Sequence, residues 1–373
     1  MSIKGIYIHI PFCKRKCYYC DFISYENKKD YIYKYIEALK KELNLELDKY
    51  EEISTVYIGG GTPSYIDYRY IIEVLDIIKN KQKHLKEITI EVNPGTVTEE
   101  SLNAYRKAGI NRLSIGLQET NNNMLETIGR IHTYEQFLET YKLARKLGFT
   151  NINIDLIIGL PNQTLNNIKG SLEKIINLNP EHISVYSLIL EEGTHLYNQY
   201  KNNKIFLPSE DKERKMYWYV KQFLEDNGYI HYEISNFAKN GYESKHNLDC
   251  WNQEEYIGFG VAAHSYKNRI RYSNTEDIQE YVLGVVAKKN YQTTHEVQNI
   301  QEQQKEYMLL GLRKIKGVSI QKFKNKFAEN PIYIFRKQLK KLVEQELLEI
   351  DGDDIKLTNK GIDLANLVWG EFV

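Results

Sequence analysis

The chain has 373 residues, enough for one large domain and a smaller one. It carries 50 Lys and Arg against 50 Asp and Glu, and this balance excludes a bulk attraction to nucleic acid or to an anionic membrane. No stretch reaches the roughly 18–20 apolar residues of a membrane span, and the first residues lack a signal-peptide cleavage site. We therefore expect a cytoplasmic protein with no membrane span and no nucleic-acid partner.

From residue 5 to about 190, apolar β-branched runs alternate with segments of helical spacing. The runs predict six strands: Gly5–Ile10, Ser54–Gly59, Glu87–Val92, Arg112–Gln118, Asn151–Leu160 and His182–Leu190. The intervening segments predict helices: Tyr31–Leu47, Tyr68–Asn80, Glu99–Ala108, Tyr134–Leu147 and Leu165–Leu178. This alternation indicates a parallel sheet with helices outside it, either doubly wound or barrel-like. Six units are too few for a closed eight-fold barrel.

The pattern changes after Leu190, where Ser209–Asn227 predicts a long amphipathic helix and Tyr229–Ile234 a further strand. Beyond about residue 270 we expect mainly helices. The tail predicts helices at Gln298–Lys314, Ser319–Phe327 and Ile334–Gln345, then a hairpin at Leu347–Thr358 and a last helix. This order of elements resembles a winged helix. The basic residues of its third helix are typical of a solvated face, so we expect a packing or partner-binding module.

Three of the four cysteines lie in Cys13-Lys-Arg-Lys-Cys17-Tyr-Tyr-Cys20, directly after the first predicted strand. Thiols this close together make no disulfide framework. Thiolates are soft ligands that suit iron–sulfur clusters. Because no fourth cysteine is near, one iron of a four-iron cluster would keep an open coordination position, as catalytic zinc sites do.

Two other readings of these cysteines are weaker. They could be unrelated core residues, but Lys14, Arg15 and Lys16 are interleaved with them and do not belong in a core. They could bind zinc with His9 or Cys250 as the fourth ligand, but zinc sites more often have paired CxxC units.

The CxxxCxxC spacing, with the aromatic Tyr19 before the last cysteine, resembles the signature of the radical S-adenosylmethionine family. The resemblance continues through YIHIPFC (7–13), GGGTP (59–63), EVNP (91–94), SIGLQ (114–118), GRIHT (129–133) and NIDLIIGLP (153–161). With the tail, the whole chain resembles the branch that contains oxygen-independent coproporphyrinogen III oxidase and heme chaperones. The resemblance implies an α/β fold, an incomplete (β/α)6 TIM-like barrel followed by a C-terminal helical, winged-helix-like domain.

The same resemblance implies the cofactors and their ligands. A [4Fe–4S] cluster would be held by Cys13, Cys17 and Cys20. S-adenosylmethionine would be bound by residues at the carboxyl ends of the strands, namely Tyr7, Tyr19, Gly60, Gly61, Thr62, Glu91, Gln118, Arg130 and Asp155. Their chemistry fits, because glycines admit a ligand to the backbone, carboxylates suit ribose hydroxyls or an ammonium group, and arginine suits a carboxylate. No catalytic side chain is assigned.

The branch divides into oxidases and chaperones. The oxidases carry a longer arm before the first cysteine and a further cysteine two residues after the third. Here twelve residues precede Cys13 and Phe22 stands in that position, as in the chaperones. The segment Lys245–Trp251 resembles their HNxxYW motif, with Cys250 in place of the tyrosine. His246 is therefore a candidate heme ligand, and a hydrogen-bonded structural histidine is the alternative. His264 is a second candidate.

The resemblance implies three regions: 1–240 as the core that binds the cluster and S-adenosylmethionine, 241–270 as a connection, and 271–373 as the C-terminal domain. The expected function is a heme chaperone that binds heme and delivers it to acceptor hemoproteins, with room for a homodimer. The alternative is an oxygen-independent coproporphyrinogen III oxidase, which decarboxylates coproporphyrinogen III to protoporphyrinogen IX. The sequence leaves open whether the protein is an enzyme.

Overall fold

The computed structural model describes residues 3–373. Six parallel strands lie side by side in chain order: β1 (Gly5–Ile10), β2 (Thr55–Gly60), β3 (Glu87–Val92), β4 (Arg112–Gln118), β5 (Ile152–Ile158) and β6 (His182–Ser187). The helices between them are α1 (Lys29–Glu46), α2 (Tyr68–Lys81), α3 (Glu99–Ala108), α4 (Asn122–Thr127), α5 (Tyr134–Lys146) and α6 (Leu165–Ile176). The predicted fold class, an incomplete (β/α)6 barrel with a C-terminal helical domain, is confirmed. All six predicted strands are present.

Successive side chains of a strand point to opposite faces of the sheet, so one face packs in the apolar core and the other is a polar interior face. Ile6, Ile8 and Ile10 of β1 are buried and belong to the large apolar core of the chain. Tyr7 and His9 lie between them in sequence and therefore on the opposite face of the sheet. The register pairs Tyr7 with Tyr57 of β2, so polar side chains of neighbouring strands meet on that opposite face.

Further strands extend this sheet at both edges, and of these the sequence predicts the one at Tyr229–Ile234. They are β7 (Ile230–Glu233), β8 (Asn236–Ala238), β9 (Tyr256–Phe259), β10 (His264–Lys267), β11 (Ile270–Asn274) and β12 (Gln292–Val297). In the described residues the order is β12-β11-β10-β9-β1-β2-β3-β4-β5-β6-β8-β7. The helices of this region are α7 (His195–Lys201), α8 (Glu210–Asp226), α9 (Lys245–Trp251) and α10 (Ile278–Ala287). Helices predominate beyond residue 270, as expected, and the short polar strands β11 and β12 are an addition that the sequence did not predict.

The C-terminal part has its own apolar core. Its helices are α11 (Ile300–Gly311), α12 (Ile320–Phe327), α13 (Pro331–Ile334), α14 (Arg336–Glu344), α15 (Asn359–Asp363) and α16 (Ala365–Gly370). A small antiparallel sheet joins β13 (Val318–Ser319), β14 (Leu348–Asp351) and β15 (Asp354–Leu357). The predicted helix 334–345 is split at Phe335. The basic residues of α14 are exposed, as a solvated face requires: Arg336, Lys337, Lys340 and Lys341.

The helical C-terminal part is attached to the end of the large sheet. The backbone N–H of Ile315 donates to Tyr232 O, and Trp218 Nε1 donates to Asp363 at 2.7 Å. The last strand of the large sheet in chain order, β12, ends at Val297, and the first residue of the C-terminal apolar core is Tyr307. The predicted division at residues 240 and 270 stays a prediction. No helix within residues 3–373 is both long and apolar enough to cross a membrane.

The packing of α1 gives a matched pair of stability variants. Leu39 is fully buried, whereas Leu45 on the same helix is 44% exposed. We expect Leu39→Ala to lower the free energy of unfolding by about 2–5 kcal/mol because it leaves a cavity. Leu45→Ala should change it by less than about 0.5 kcal/mol. Urea unfolding followed by circular dichroism measures both, and equal losses in the two variants would contradict the placement of α1.

Candidate cluster and cofactor site

The three motif cysteines lie in a loop that backbone hydrogen bonds close onto the end of β1. Cys13 N donates to Tyr25 O at 3.0 Å, and Tyr25 N donates to Pro11 O at 2.7 Å. Cys20 N donates to Cys17 O at 3.2 Å. Cys13 is buried, while Cys17 and Cys20 are partly exposed. The loop therefore presents its thiols at the carboxyl edge of the sheet, where ligands bind in folds of this kind.

The thiols have polar neighbours from the segments that follow β2 and α4. Cys13 Sγ lies 3.4 Å from Thr62 Oγ1, and Arg130 Nη1 donates to Cys17 Sγ at 3.3 Å. Burial raises the pKa of the Cys20 thiol to about 12, and the nearby Cys17 adds to the shift. Burial also raises the pKa of Cys13. A bound iron displaces such protons, since only the thiolate is a ligand.

A donor set of three thiols fits a cluster better than a single ion. In residues 3–373 no three His, Cys, Asp or Glu side chains converge as ligands of one metal ion. In a four-iron cluster each cysteine binds a different iron, so the three thiols need no common centre. The donors therefore fit a [4Fe–4S] cluster with one iron left for another ligand.

Glycines after β2 bring the backbone close to this loop. Gly60 has φ +107°, and a Cβ there would lie 2.6 Å from the His9 ring. A Cβ on Gly61 would lie 2.9 Å from the backbone nitrogen of Phe12. Only glycine fits both positions without a shift of the β1 loop. A small ligand can therefore approach the main chain at this point.

Two largely buried carboxylates lie on β3 and β5, the strands on either side of β4. Glu91 accepts from Tyr57 Oη at 2.9 Å and from Gly60 N at 3.2 Å, and burial raises its pKa to about 7. Asp155 accepts from Asn153 Nδ2 at 2.6 Å, and burial raises its pKa as well. Each carboxylate keeps acceptor capacity for the hydroxyl or ammonium groups of a ligand.

Arg130 links the cysteine loop to this edge of the sheet. Its Nη2 donates to Asn93 Oδ1 at 2.7 Å and to Gly116 O at 2.6 Å. Its Nε is buried and has no protein partner. An unpaired buried donor is costly, so it marks a place where a ligand acceptor would fit. Gln118 follows an irregularity in the β4–β5 pairing and has φ +74°, which re-aims its side chain at the strand end.

Two tyrosines complete the predicted cofactor set. Tyr7 Oη is hydrogen-bonded to His9 Nδ1 at 3.0 Å, and His9 Nε2 to Ile23 O at 2.9 Å. Tyr19 packs on a small apolar cluster around Ile128. Burial raises the pKa of both tyrosines, so both phenols are neutral. The cysteines, Tyr19, the glycine turn, Gln118 and Arg130 thus lie at the carboxyl edge of the sheet, with Glu91 one residue from the end of β3, while Tyr7 and Asp155 lie in the middle of β1 and β5.

His246 lies at the opposite edge. It is buried, and its Nδ1 is 2.9 Å from Oγ1 of Thr55, the first residue of β2. The backbone N–H of His246 donates to Glu87, the first residue of β3. Burial lowers the pKa of His246 to about 4, so the ring is neutral. The structure therefore does not bring His246 to the cysteines.

Some site residues were not singled out from the sequence. Asn93 donates to Thr62 Oγ1 at 2.9 Å and accepts from Arg130, so it joins two predicted ligands. Its place in EVNP, two residues after Glu91, was the available signal. Arg112 is 2% exposed and its Nε has no protein partner. Nothing in the sequence distinguishes it from a surface arginine at the start of a strand.

A parallel α/β sheet with a three-cysteine loop at its carboxyl edge defines a radical S-adenosylmethionine protein. The Radical SAM superfamily profile matches residues 7–175, and the HemN C-terminal domain profile matches residues 301–364. The fold resembles that of coproporphyrinogen III oxidase (HemN) from Escherichia coli, with a TM-score of 0.86 and 24% identity over 100% of this chain and 90% of that chain.

Curated relatives match along nearly the whole chain. The heme chaperone HemW of Lactococcus lactis subsp. lactis (strain IL1403) is 40% identical, over 99% of this chain and 97% of the relative. The heme chaperone HemW of Bacillus subtilis (strain 168) is 39% identical, over 100% and 99%. The chain belongs to the HemW family of the radical SAM superfamily. Membership of the superfamily implies a [4Fe–4S] cluster and S-adenosylmethionine.

Removal of one motif cysteine tests the cluster site. We expect Cys17→Ala to abolish the broad visible absorbance of anaerobically reconstituted protein, because two thiolates do not hold a four-iron cluster in this loop. Cys250→Ala is the matched control and should keep the full absorbance. An intact four-iron spectrum in Cys17→Ala would refute the assignment.

The glycine turn tests the cofactor site. We expect Gly61→Ala to weaken S-adenosylmethionine binding by at least about tenfold, because the added Cβ pushes the turn away from Phe12. Gly170→Ala in α6 is the control, since its Cβ would meet nothing within 4 Å. Equilibrium dialysis on reconstituted protein measures both. Equal affinity in the two variants would contradict the role of the turn.

Proposed function

We propose that this protein binds heme and delivers it to acceptor hemoproteins. The observation that carries the proposal is the 40% identity to a heme chaperone across 99% of this chain. The likeness to coproporphyrinogen III oxidase is a likeness of fold at 24% identity. It supports the assignment of the fold and adds no argument for the oxidase reaction, because one fold serves many functions.

We propose that Cys13, Cys17 and Cys20 hold a [4Fe–4S] cluster, which supplies redox chemistry to the S-adenosylmethionine beside it. Thr62 and Arg130 contact two of these sulfurs and so stabilise thiolate charge. The unpaired Nε of Arg130 provides a donor for an acceptor group of the cofactor.

The remaining predicted cofactor residues would orient S-adenosylmethionine. Glu91 is fixed by Tyr57, and Asp155 by Asn153, so neither carboxylate has to reorganise when a ligand arrives. Gly60, Gly61 and Gln118 provide backbone and amide contacts, and Tyr7 and Tyr19 provide aromatic walls.

Apolar side chains exposed at the cluster edge support a cargo-binding role. Phe22, in the cysteine loop, is 64% exposed, and Ile189, just after β6, is 68% exposed. Tyr186 at the end of β6 is 42% exposed. Large exposed apolar side chains near a site are typical of surfaces that bind a hydrophobic ligand or partner. Heme is such a ligand, and an acceptor hemoprotein is such a partner.

Heme contact at His246 stays a prediction. The residue is 6% exposed and its ring is hydrogen-bonded to Thr55, so coordination there would require α9 to move away from the sheet. Formation of a homodimer also stays a prediction.

Heme titration of reconstituted protein tests the proposed function. We expect saturable binding of about one heme per chain, with a shifted Soret band, and transfer of that heme to an apo-hemoprotein acceptor. A parallel sample with reductant, S-adenosylmethionine and coproporphyrinogen III should yield no porphyrin product. Protoporphyrinogen formed with multiple turnovers would overturn the proposal in favour of the oxidase.

A further inference from the structure

The C-terminal end of α9 packs against the helical C-terminal part of the chain, and basic side chains make this contact. Lys314 Nζ donates to Oδ1 of Asn252, the residue that follows α9. Lys326 Nζ donates to the backbone oxygen of Gln253 at 2.8 Å. The segment that resembles the heme-chaperone motif therefore ends against cations that the C-terminal part supplies.

Arg313 lies at the centre of this contact. Its Cζ is 4.4 Å from the centroid of the Trp251 ring, at the end of α9, and 5.1 Å from the centroid of the Trp369 ring in α16. Its backbone oxygen accepts from the N–H of Ile234, directly after β7, at 3.0 Å. The guanidinium is therefore held against two tryptophan rings, one from α9 and one from the C-terminal part.

Within residues 3–373, neither Arg313 nor Lys314 forms an ion pair with a carboxylate. The Nε of Arg313 is buried and has no protein partner. Glu233 is near enough for the arginine to lower its pKa against the larger effect of burial, but it accepts from Ser235 and Asn236 instead. Burial lowers the pKa of Lys314 to about 8. Because a largely buried cation without a counter-charge is costly, both residues favour an anionic ligand.

The charges nearby distinguish these two cations from Lys326. The carboxylates that act on Lys326 provide its counter-charge: Glu254, Glu255 and Glu306. The charged neighbours of Lys314 are two cations and one anion: Lys316, Lys322 and Asp354. Positive charge therefore predominates around Lys314, and a negatively charged group is favoured there.

The same place lies within reach of a heme carried by α9. Trp251, which Arg313 contacts, follows His246 by five residues, roughly 7.5 Å along the helix axis at 1.5 Å per residue. A porphyrin is wider than this, and the two propionates of heme project from one edge of the macrocycle. Arginine pairs with a carboxylate through two parallel hydrogen bonds, and lysine does so as a point charge. One propionate for each cation supplies the counter-charge that the protein itself lacks.

We propose that Arg313 and Lys314 bind the propionate carboxylates of heme when α9 carries it. This inference rests on the proposed function and on heme contact at α9. It gives the C-terminal part a role in recognising the cargo. A porphyrin without free carboxylates leaves both cations unpaired, so the site selects tetrapyrroles that keep their acidic side chains.

Parallel titrations of the reconstituted full chain with hemin and with hemin dimethyl ester test the proposal, because the ester lacks both carboxylate charges. We expect the unaltered protein to bind the ester at least about tenfold more weakly than hemin. Arg313→Met should weaken hemin binding by at least about tenfold and leave the affinity for the ester unchanged. A role of Arg313 in packing alone would weaken the binding of both ligands by the same factor.

Arg313→Lys should keep part of the preference for hemin because the charge remains. Lys314→Met should reduce the preference while the guanidinium stays against the tryptophans. These two variants make the same comparison if Arg313→Met loses the circular dichroism of the folded chain. Arg336→Met removes an exposed arginine of α14 and is the matched control, which should bind both porphyrins as the unaltered protein does. The visible absorbance of the cluster should persist in every variant.

Equal affinities of the unaltered protein for hemin and for the ester would overturn the recognition of propionates and leave heme carriage intact. Unchanged hemin affinity in Arg313→Met and Lys314→Met, or an equal loss for both ligands, would also overturn the assignment. Absence of saturable hemin binding in the unaltered protein would overturn the proposed function itself.

Discussion

The site depends on a pair of backbone hydrogen bonds between the turn after β2 and the end of β1. Gly61 N donates to Ile10 O at 2.9 Å, and Thr62 N donates to Phe12 O at 2.9 Å. They continue the parallel pairing of the two strands beyond the sheet and hold the segment that begins the cysteine loop. Because a Cβ on Gly61 would collide with Phe12, this close approach requires glycine. The position of Cys13 beside Thr62 follows from it.

A second constraint is the polar interior face of the sheet. Glu91, Asp155 and Arg112 lie on neighbouring strands and are largely or wholly buried, and the arginine lowers the pKa of both carboxylates against the larger effect of burial. Burying charged groups of this kind lowers the free energy of unfolding, and such groups are retained where a ligand needs fixed dipoles and charges. At the other edge, α9 covers the sheet with His246 against Thr55. The polar face is thus covered at the edge remote from the cysteines.

The parts of the fold that sequence reasoning predicted are those with strong periodicity. The bounds of β1, β3, β4 and α3 agree with the predicted segments, since the three strands are largely apolar runs and α3 is an amphipathic segment that ends at Gly109. The strands β9 to β12 could not be predicted well because they are short, rich in Tyr, Ser and Thr, and stabilised by pairing with residues distant in sequence. Pairing of β9 with β1 across about 250 residues leaves no local signal.

The same distinction applies to the site. The cysteines, the glycine turn and the carboxylates of β3 and β5 could be found because each lies in a local motif on or directly after a predicted strand. The burial of His246 could not be found in this way, because it depends on α9 packing against the first residues of β2 and β3. Asn93 acquires its role only when Arg130 and Thr62 arrive from other strands.

The open iron at the cluster is the central claim, and Mössbauer spectroscopy tests it most directly. Protein reconstituted with ⁵⁷Fe would be measured with and without S-adenosylmethionine. We expect one of the four iron sites to change its isomer shift on addition of S-adenosylmethionine, while the three iron sites bound by Cys13, Cys17 and Cys20 stay unchanged. Four iron sites that are all unaffected by S-adenosylmethionine would contradict a three-cysteine cluster with a position kept for that cofactor.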